Sequence, residues 1–231
     1  MDDHSFPGLF LKVSGIAYLI LMGDVLLMAT TAPVWLIFFL TPLSQSWLAL
    51  ALVSPLLAPA VAGAFTVFRA YVVDGSTSVI RGFFRGWQAS AKKSLVLGLA
   101  GAGLAIVIVV DLQAVAGATW SPLTLPGFVM AAVLGLITIL TGLALIVARP
   151  ATGRWAALRA GLLLGVRGGG WSLVSVSALA GFAWMLWDGP ALALIAAPAP
   201  VLFVVWYDAN RALAPLLDPD AAPRREPAWA N

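Results

Sequence analysis

Residues 94–148 read SLVLGLAGAGLAIVIVVDLQAVAGATWSPLTLPGFVMAAVLGLITILTGLALIVA. These 55 residues contain no Lys or Arg and a single acid, Asp111. A helix needs about 20 apolar residues to cross a hydrocarbon core ~30 Å thick. The stretch therefore holds two spans, joined by an outer loop that carries Trp120, Pro122 and Pro126. Two further stretches without a basic residue, 13–68 and 168–210, run for 56 and 43 residues. Three stretches of two spans predict an all-α polytopic membrane protein with six transmembrane helices. The basic residues fall between them: Lys12; Arg69, Arg81, Arg85, Lys92 and Lys93; Arg149, Arg154, Arg159 and Arg167; Arg211, Arg224 and Arg225. All four groups lie on one side, which the positive-inside rule makes the cytoplasm. Both termini are then expected inside.

Composition agrees with this reading. Of the 231 residues 61% are hydrophobic and only 10% charged, for a net charge of +3. Mean hydropathy is +0.99. Soluble domains are nearer 45–50% apolar and 25% charged, so the surplus apolar surface must meet lipid. The opening Met1-Asp2-Asp3-His4 is acidic where a cleavable signal would be basic, so the first apolar segment is expected to remain as a span.

The spans are expected near 13–40, 47–73, 94–115, 126–148, 171–187 and 191–210. Pro55 and Pro59 should bend the second and Pro198 and Pro200 the sixth, because proline removes a backbone donor and crowds the preceding turn. Trp35, Phe38 and Phe39 suit the outer interface, and Trp206 and Tyr207 the inner one. After the turn Asp74-Gly75-Ser76-Thr77, residues 79–93 place Ile80, Phe83, Phe84, Trp87 and Ala91 at helical spacing, with Arg81, Arg85, Gln88 and Lys92 on the other face. That pattern predicts an amphipathic helix in the cytoplasmic interface. Trp155, Leu158, Leu162 and Val166 suggest a second. Ser94, Gly98 and Ala102 recur every four residues, the spacing of close helix contact. Residues 1–214 form one membrane domain, and the Pro-rich tail 215–231 should be disordered. A shift of 78 residues superposes Arg81 on Arg159 and Ser94-Leu95-Val96 on Ser172-Leu173-Val174, which would suit a parallel internal repeat.

Asp24 is the sharpest chemical feature. It lies twelve residues beyond Lys12, about 18 Å along a helix and near mid-membrane. A charged aspartate there costs about 2.5–3.5 kcal/mol. Three readings stay open: an ion, proton or substrate contact; a hydrogen-bonded residue that fixes helix packing; or a residue nearer the interface because the helix starts late. Gly23-Asp24 and Tyr207-Asp208 faintly resemble the paired aspartates of intramembrane proteases. However, Leu21 stands where that motif needs glycine. Cysteine is absent, His4 is the single histidine, and no nucleophile-elbow, zinc or Walker motif occurs, so neither an enzyme nor a cofactor is expected. The basic segments remain, with Arg81, Phe83, Phe84, Arg85, Trp87, Lys92, Lys93, Arg154 and Arg159 as a surface for anionic lipid or a partner. A nucleic-acid partner is not expected.

Residues from about 10 to 103 resemble the YesL-like family of bacterial membrane proteins. The resemblance rests on Ser54-Pro55 and Ala58-Pro59-Ala60, then Phe68-Arg69-Ala70-Tyr71, then Gly82-Phe83-Phe84-Arg85-Gly86-Trp87 and Lys92-Lys93-Ser94. It implies a protein of the bacterial cytoplasmic (inner) membrane that accompanies carbohydrate uptake, especially binding-protein-dependent ABC importers. It carries over no catalytic residue. The leading expectation is an accessory or scaffold subunit that meets an ABC permease and ATPase or forms a homo-oligomer. An autonomous small-solute transporter or channel using Asp24 is the first alternative. A regulatory partner of a signalling protein is the second.

Overall fold

The computed structural model describes residues 6–115, 121–167 and 169–217, and every regular element among them is helical. In chain order these are α1 (Phe6–Leu40), α2 (Leu43–Val53), a 3₁₀ turn (Ser54–Leu56), α3 (Leu57–Asp74), α4 (Val79–Val115) and α5 (Ser121–Ala148). Then come α6 (Arg154–Arg167), α7 (Gly169–Asp188), α8 (Pro190–Ala196) and α9 (Pro198–Leu217).

Pro55 and Pro59 act where the sequence places them. The second apolar stretch breaks at Ser54–Leu56 into α2 and α3. At its far end α3 stops on Gly75, at φ 62°, a left-handed conformation that glycine adopts without steric cost. The Gly75 N–H bonds the Tyr71 carbonyl at 3.1 Å and the Ser76 N–H bonds that of Ala70 at 3.2 Å. The first of these is the bond of an αL helix stop, and the chain reverses into α4.

α4 returns antiparallel along α3, with Gly82 beside Val67 and Gly98 beside Pro55 and Ala58. It is one helix of 37 residues, about 55 Å long. This corrects the expectation of a separate interfacial helix over 79–93. That segment does not leave the line of the span. Val79, Phe83, Gly86 and Ser90 are buried within the bundle, while Ile80 and Phe84 face outward. Gly82, Gly86, Ser90, Ser94, Gly98 and Ala102 form an unbroken series at four-residue spacing, twice as long as the Ser94–Ala102 series. Small side chains let the backbones approach, and α3 answers with Ala58, Ala60, Ala62, Gly63 and Ala64, all buried.

The α5–α6 hairpin follows similar logic. A Cβ at Gly142 would sit 3.3 Å from the Ala157 carbonyl oxygen, and one at Gly161 would press on the Thr138 carbonyl. α6 therefore lies tightly antiparallel against α5 through Ala157 and Gly161. The aromatic stripe expected to lie on a membrane surface is divided: Trp155 and Leu162 face outward, whereas Leu158 packs toward the core. Two such hairpins, α3–α4 and α5–α6, follow one another along the chain.

Among the described residues, four helical segments are long and apolar enough to cross a membrane: Ser14–Leu40, Gln45–Asp74, Val79–Val115 and Leu123–Ala148. The expected fifth span corresponds to α7, whose residues Leu173–Asp188 form an apolar helical run. The expected sixth is divided at Ala197 into α8, of seven residues, and α9, which carries Asp208, Asn210 and Arg211. Among the described residues four segments thus have both the length and the apolarity of a span, and prolines divide the last apolar stretch. α9 runs to Leu217, beyond the expected domain end at 214. The rest of the expected tail lies outside the described residues.

Aromatic rings tie α9 to α3. Phe68 meets Phe203 edge-on at 5.3 Å and Trp206 at 6.2 Å. Trp206 is buried against α3, while Tyr207 is exposed beneath the Arg211 guanidinium at 5.5 Å.

Candidate functional site

α9 begins with the sequence Pro198-Ala199-Pro200-Val201. The first N–H groups of a helix have no partner inside it. Two of these four residues are prolines and bring no N–H. The Val201 N–H bonds the Ala197 carbonyl at 3.1 Å. One donor remains, the Ala199 N–H, and it donates to Asp24 Oδ1 at 2.6 Å. The neighbour Gly23 makes the approach possible, since a Cβ there would lie 3.3 Å from the Ala199 Cβ. Asp24 is 2% exposed. A negative or polar oxygen at this position also complements the positive end of the α9 dipole. Asp24 thus joins α1 to α9. Its second oxygen, Oδ2, is buried without a hydrogen-bond partner, as is Thr141 Oγ1.

A second buried carboxyl is one that sequence reading placed at the helix end. Asp208 on α9 accepts a hydrogen bond from the Ser175 hydroxyl of α7 at 2.9 Å, and both residues are buried. The signal in the sequence was slight: a serine inside an apolar span and an aspartate three residues before Arg211.

The basic residues divide by role. Lys93 donates to the carbonyls of Pro150 and, at 3.1 Å, Thr152. Arg69 donates to the Val147 carbonyl at 3.3 Å. Both cations sit where α5 ends and its carbonyls lack helical partners, the position that favours positive charge. By contrast Arg81, Arg85, Lys92, Arg154 and Arg159 are exposed. The Lys93 bonds hold the start of α6 near α4, so these five cations belong to one end of the bundle. Phe83 is buried and Trp87 half-buried against the core, which leaves Phe84 as the exposed ring of that group.

Between α1, α4, α5 and α9 lies a cavity of about 490 Å³. Its walls are aliphatic and aromatic apart from Thr31, Trp35 and Ser54. Those three are engaged: Thr31 donates to the Leu27 carbonyl at 2.6 Å, Trp35 Nε1 donates to Thr31 at 2.8 Å, and Ser54 donates to Ala51 at 2.9 Å. The cavity is not sealed: Ala105, Ala132 and Leu136 of its lining are exposed at the bundle surface. Water needs two to four polar partners, which these walls do not supply.

Among the described residues the chain is all-helical, with four helices long and apolar enough to span a membrane. The family described as "Protein of unknown function, DUF624" has a model that matches residues 28–112, from the middle of α1 through most of α4. No curated protein and no solved structure matches the chain.

Proposed function

We propose that the chain is a non-enzymatic accessory or scaffold subunit of a bacterial carbohydrate ABC import system, set in the cytoplasmic membrane with its basic end and both termini inside. The observation that carries this reading is the Asp24–Ala199 hydrogen bond. The carboxyl deepest in the first span serves a helix start, and the adjoining cavity is apolar, so a polar path for a solute is missing from the centre of the described bundle. The five exposed cations of α4 and α6, together with Phe84, offer a docking face for a partner subunit. The carbohydrate association rests on the YesL-like resemblance; that group falls within the family matched over 28–112.

One observation favours the autonomous transporter: Asp24 Oδ2 has no partner. Solute flux through the purified chain in proteoliposomes that disappears in Asp24→Asn would establish it. The accessory reading is tested by deleting the chain in its host. It predicts that sugar import through the ABC system falls and that less permease and ATPase assemble. Unchanged uptake with unchanged assembly overturns it.

A further inference from the structure

We propose that the cavity between α1, α4, α5 and α9 holds one hydrocarbon chain of a bilayer lipid. The walls select the class of occupant. Leu27, Leu140, Leu143, Phe182 and Leu202 offer only carbon to whatever lies between them. The few polar atoms are already engaged by neighbours on their own helices. Water and polar solutes would lose their hydrogen bonds on entry.

Dimensions agree. The lining residues of α4 run from Gly98 to Ile108, about 15 Å along the axis. That is the depth of a single leaflet, half of a core about 30 Å thick. Gly98 lies five residues beyond Lys93 and Leu143 six residues before Arg149, so the cavity sits near the middle of the apolar spans. Its mouth opens toward lipid, because three lining residues, Ala105, Ala132 and Leu136, are exposed on the bundle surface. A chain of the surrounding bilayer can enter there without its headgroup leaving the membrane surface. The shared chemistry is a long flexible hydrocarbon chain, whether of a phospholipid or of an isoprenoid lipid.

The test is photocrosslinking of the full chain in nanodiscs. One arm contains phosphatidylglycerol with a diazirine in its acyl tail. The other contains a polyprenyl phosphate with a diazirine in its isoprenoid chain. Crosslinked peptides are mapped by mass spectrometry. The proposal predicts adducts concentrated on cavity residues such as Met28 and Leu140, in the arm whose lipid is the occupant. It predicts loss of those adducts in Ala132→Trp and in Ala105→Phe, each of which fills the mouth. Ala114→Phe, exposed on α4 outside the cavity, should crosslink as the wild type does. Adducts spread evenly over the outward faces in both arms would overturn the proposal. Mouth variants that remain monodisperse and crosslink like wild type would do the same. If neither mouth variant folds, the wild-type adduct map decides between the two outcomes.

Discussion

Asp24 and Ala199 stand 175 positions apart in sequence and are joined by one hydrogen bond of 2.6 Å. The bond explains how a helix can begin with prolines at its first and third positions inside an apolar bundle. It also explains why a carboxyl stands in the middle of the first span.

Replacing Asp24 separates capping from charge. Asp24→Asn keeps an acceptor oxygen for the Ala199 N–H and should unfold within about 1 kcal/mol of wild type. Asp24→Ala leaves that N–H buried without a partner and should lose about 1–3 kcal/mol. Unfolding in detergent, followed by circular dichroism, measures both. Equal loss in the two variants would show that the charge, not the cap, is what the fold requires.

The helix contacts were only half legible in the sequence. Ser94, Gly98 and Ala102 declared a close contact, but Gly82, Gly86 and Ser90 were hidden inside an amphipathic pattern that membrane surfaces and helix partners satisfy equally well. An apolar stripe says that it must be covered; it does not say by what. The protein buries Phe83 and half-buries Trp87 in the bundle and leaves Ile80 and Phe84 exposed, so the expected interfacial helix becomes the first part of α4. The Ala199 cap was hidden for a different reason. Pro198 and Pro200 predicted a kink, yet which distant oxygen takes the remaining N–H is set by tertiary packing alone. The basic clusters were legible as a set, while the split between Lys93, which holds the α5 terminus, and exposed Arg81 and Arg85 depends on which face each helix turns inward.

The glycine series gives a second prediction. A Cβ at Gly98 would lie 2.7 Å from the Pro55 carbonyl oxygen, backbone that cannot swing aside. Gly98→Ala should therefore destabilise by about 1–3 kcal/mol, the usual cost of overpacking. Gly103 on the same helix has open space around it. Gly103→Ala should be neutral or stabilise by about 0.5–1 kcal/mol through helix propensity. Thermal unfolding of the two variants in the same detergent checks the contrast.

The cations should behave as two groups. Lys93→Met removes the bonds to the Pro150 and Thr152 carbonyls and should cost about 1 kcal/mol. Arg81→Gln and Arg85→Gln are exposed changes and should stay within about 0.5 kcal/mol of wild type. Denaturant titration of the three variants distinguishes a structural cation from a free one.

Ser175→Ala removes the buried donor to Asp208. The carboxyl oxygen it leaves is without that partner, and the contact between α7 and α9 should weaken by about 1–3 kcal/mol. Ser175→Thr, which keeps the hydroxyl, should retain most of the stability. Proteolysis in the α7–α8 connection, read by gel, reports the loosening directly.

The most direct test of the accessory role is affinity purification of the full chain from its host membrane in nanodiscs, with mass spectrometry of what accompanies it. The account predicts stoichiometric permease and ATPase subunits of a sugar importer. It further predicts that Arg81→Glu with Arg85→Glu releases them while the chain itself stays folded. A chain recovered alone, or only with copies of itself, would contradict the account.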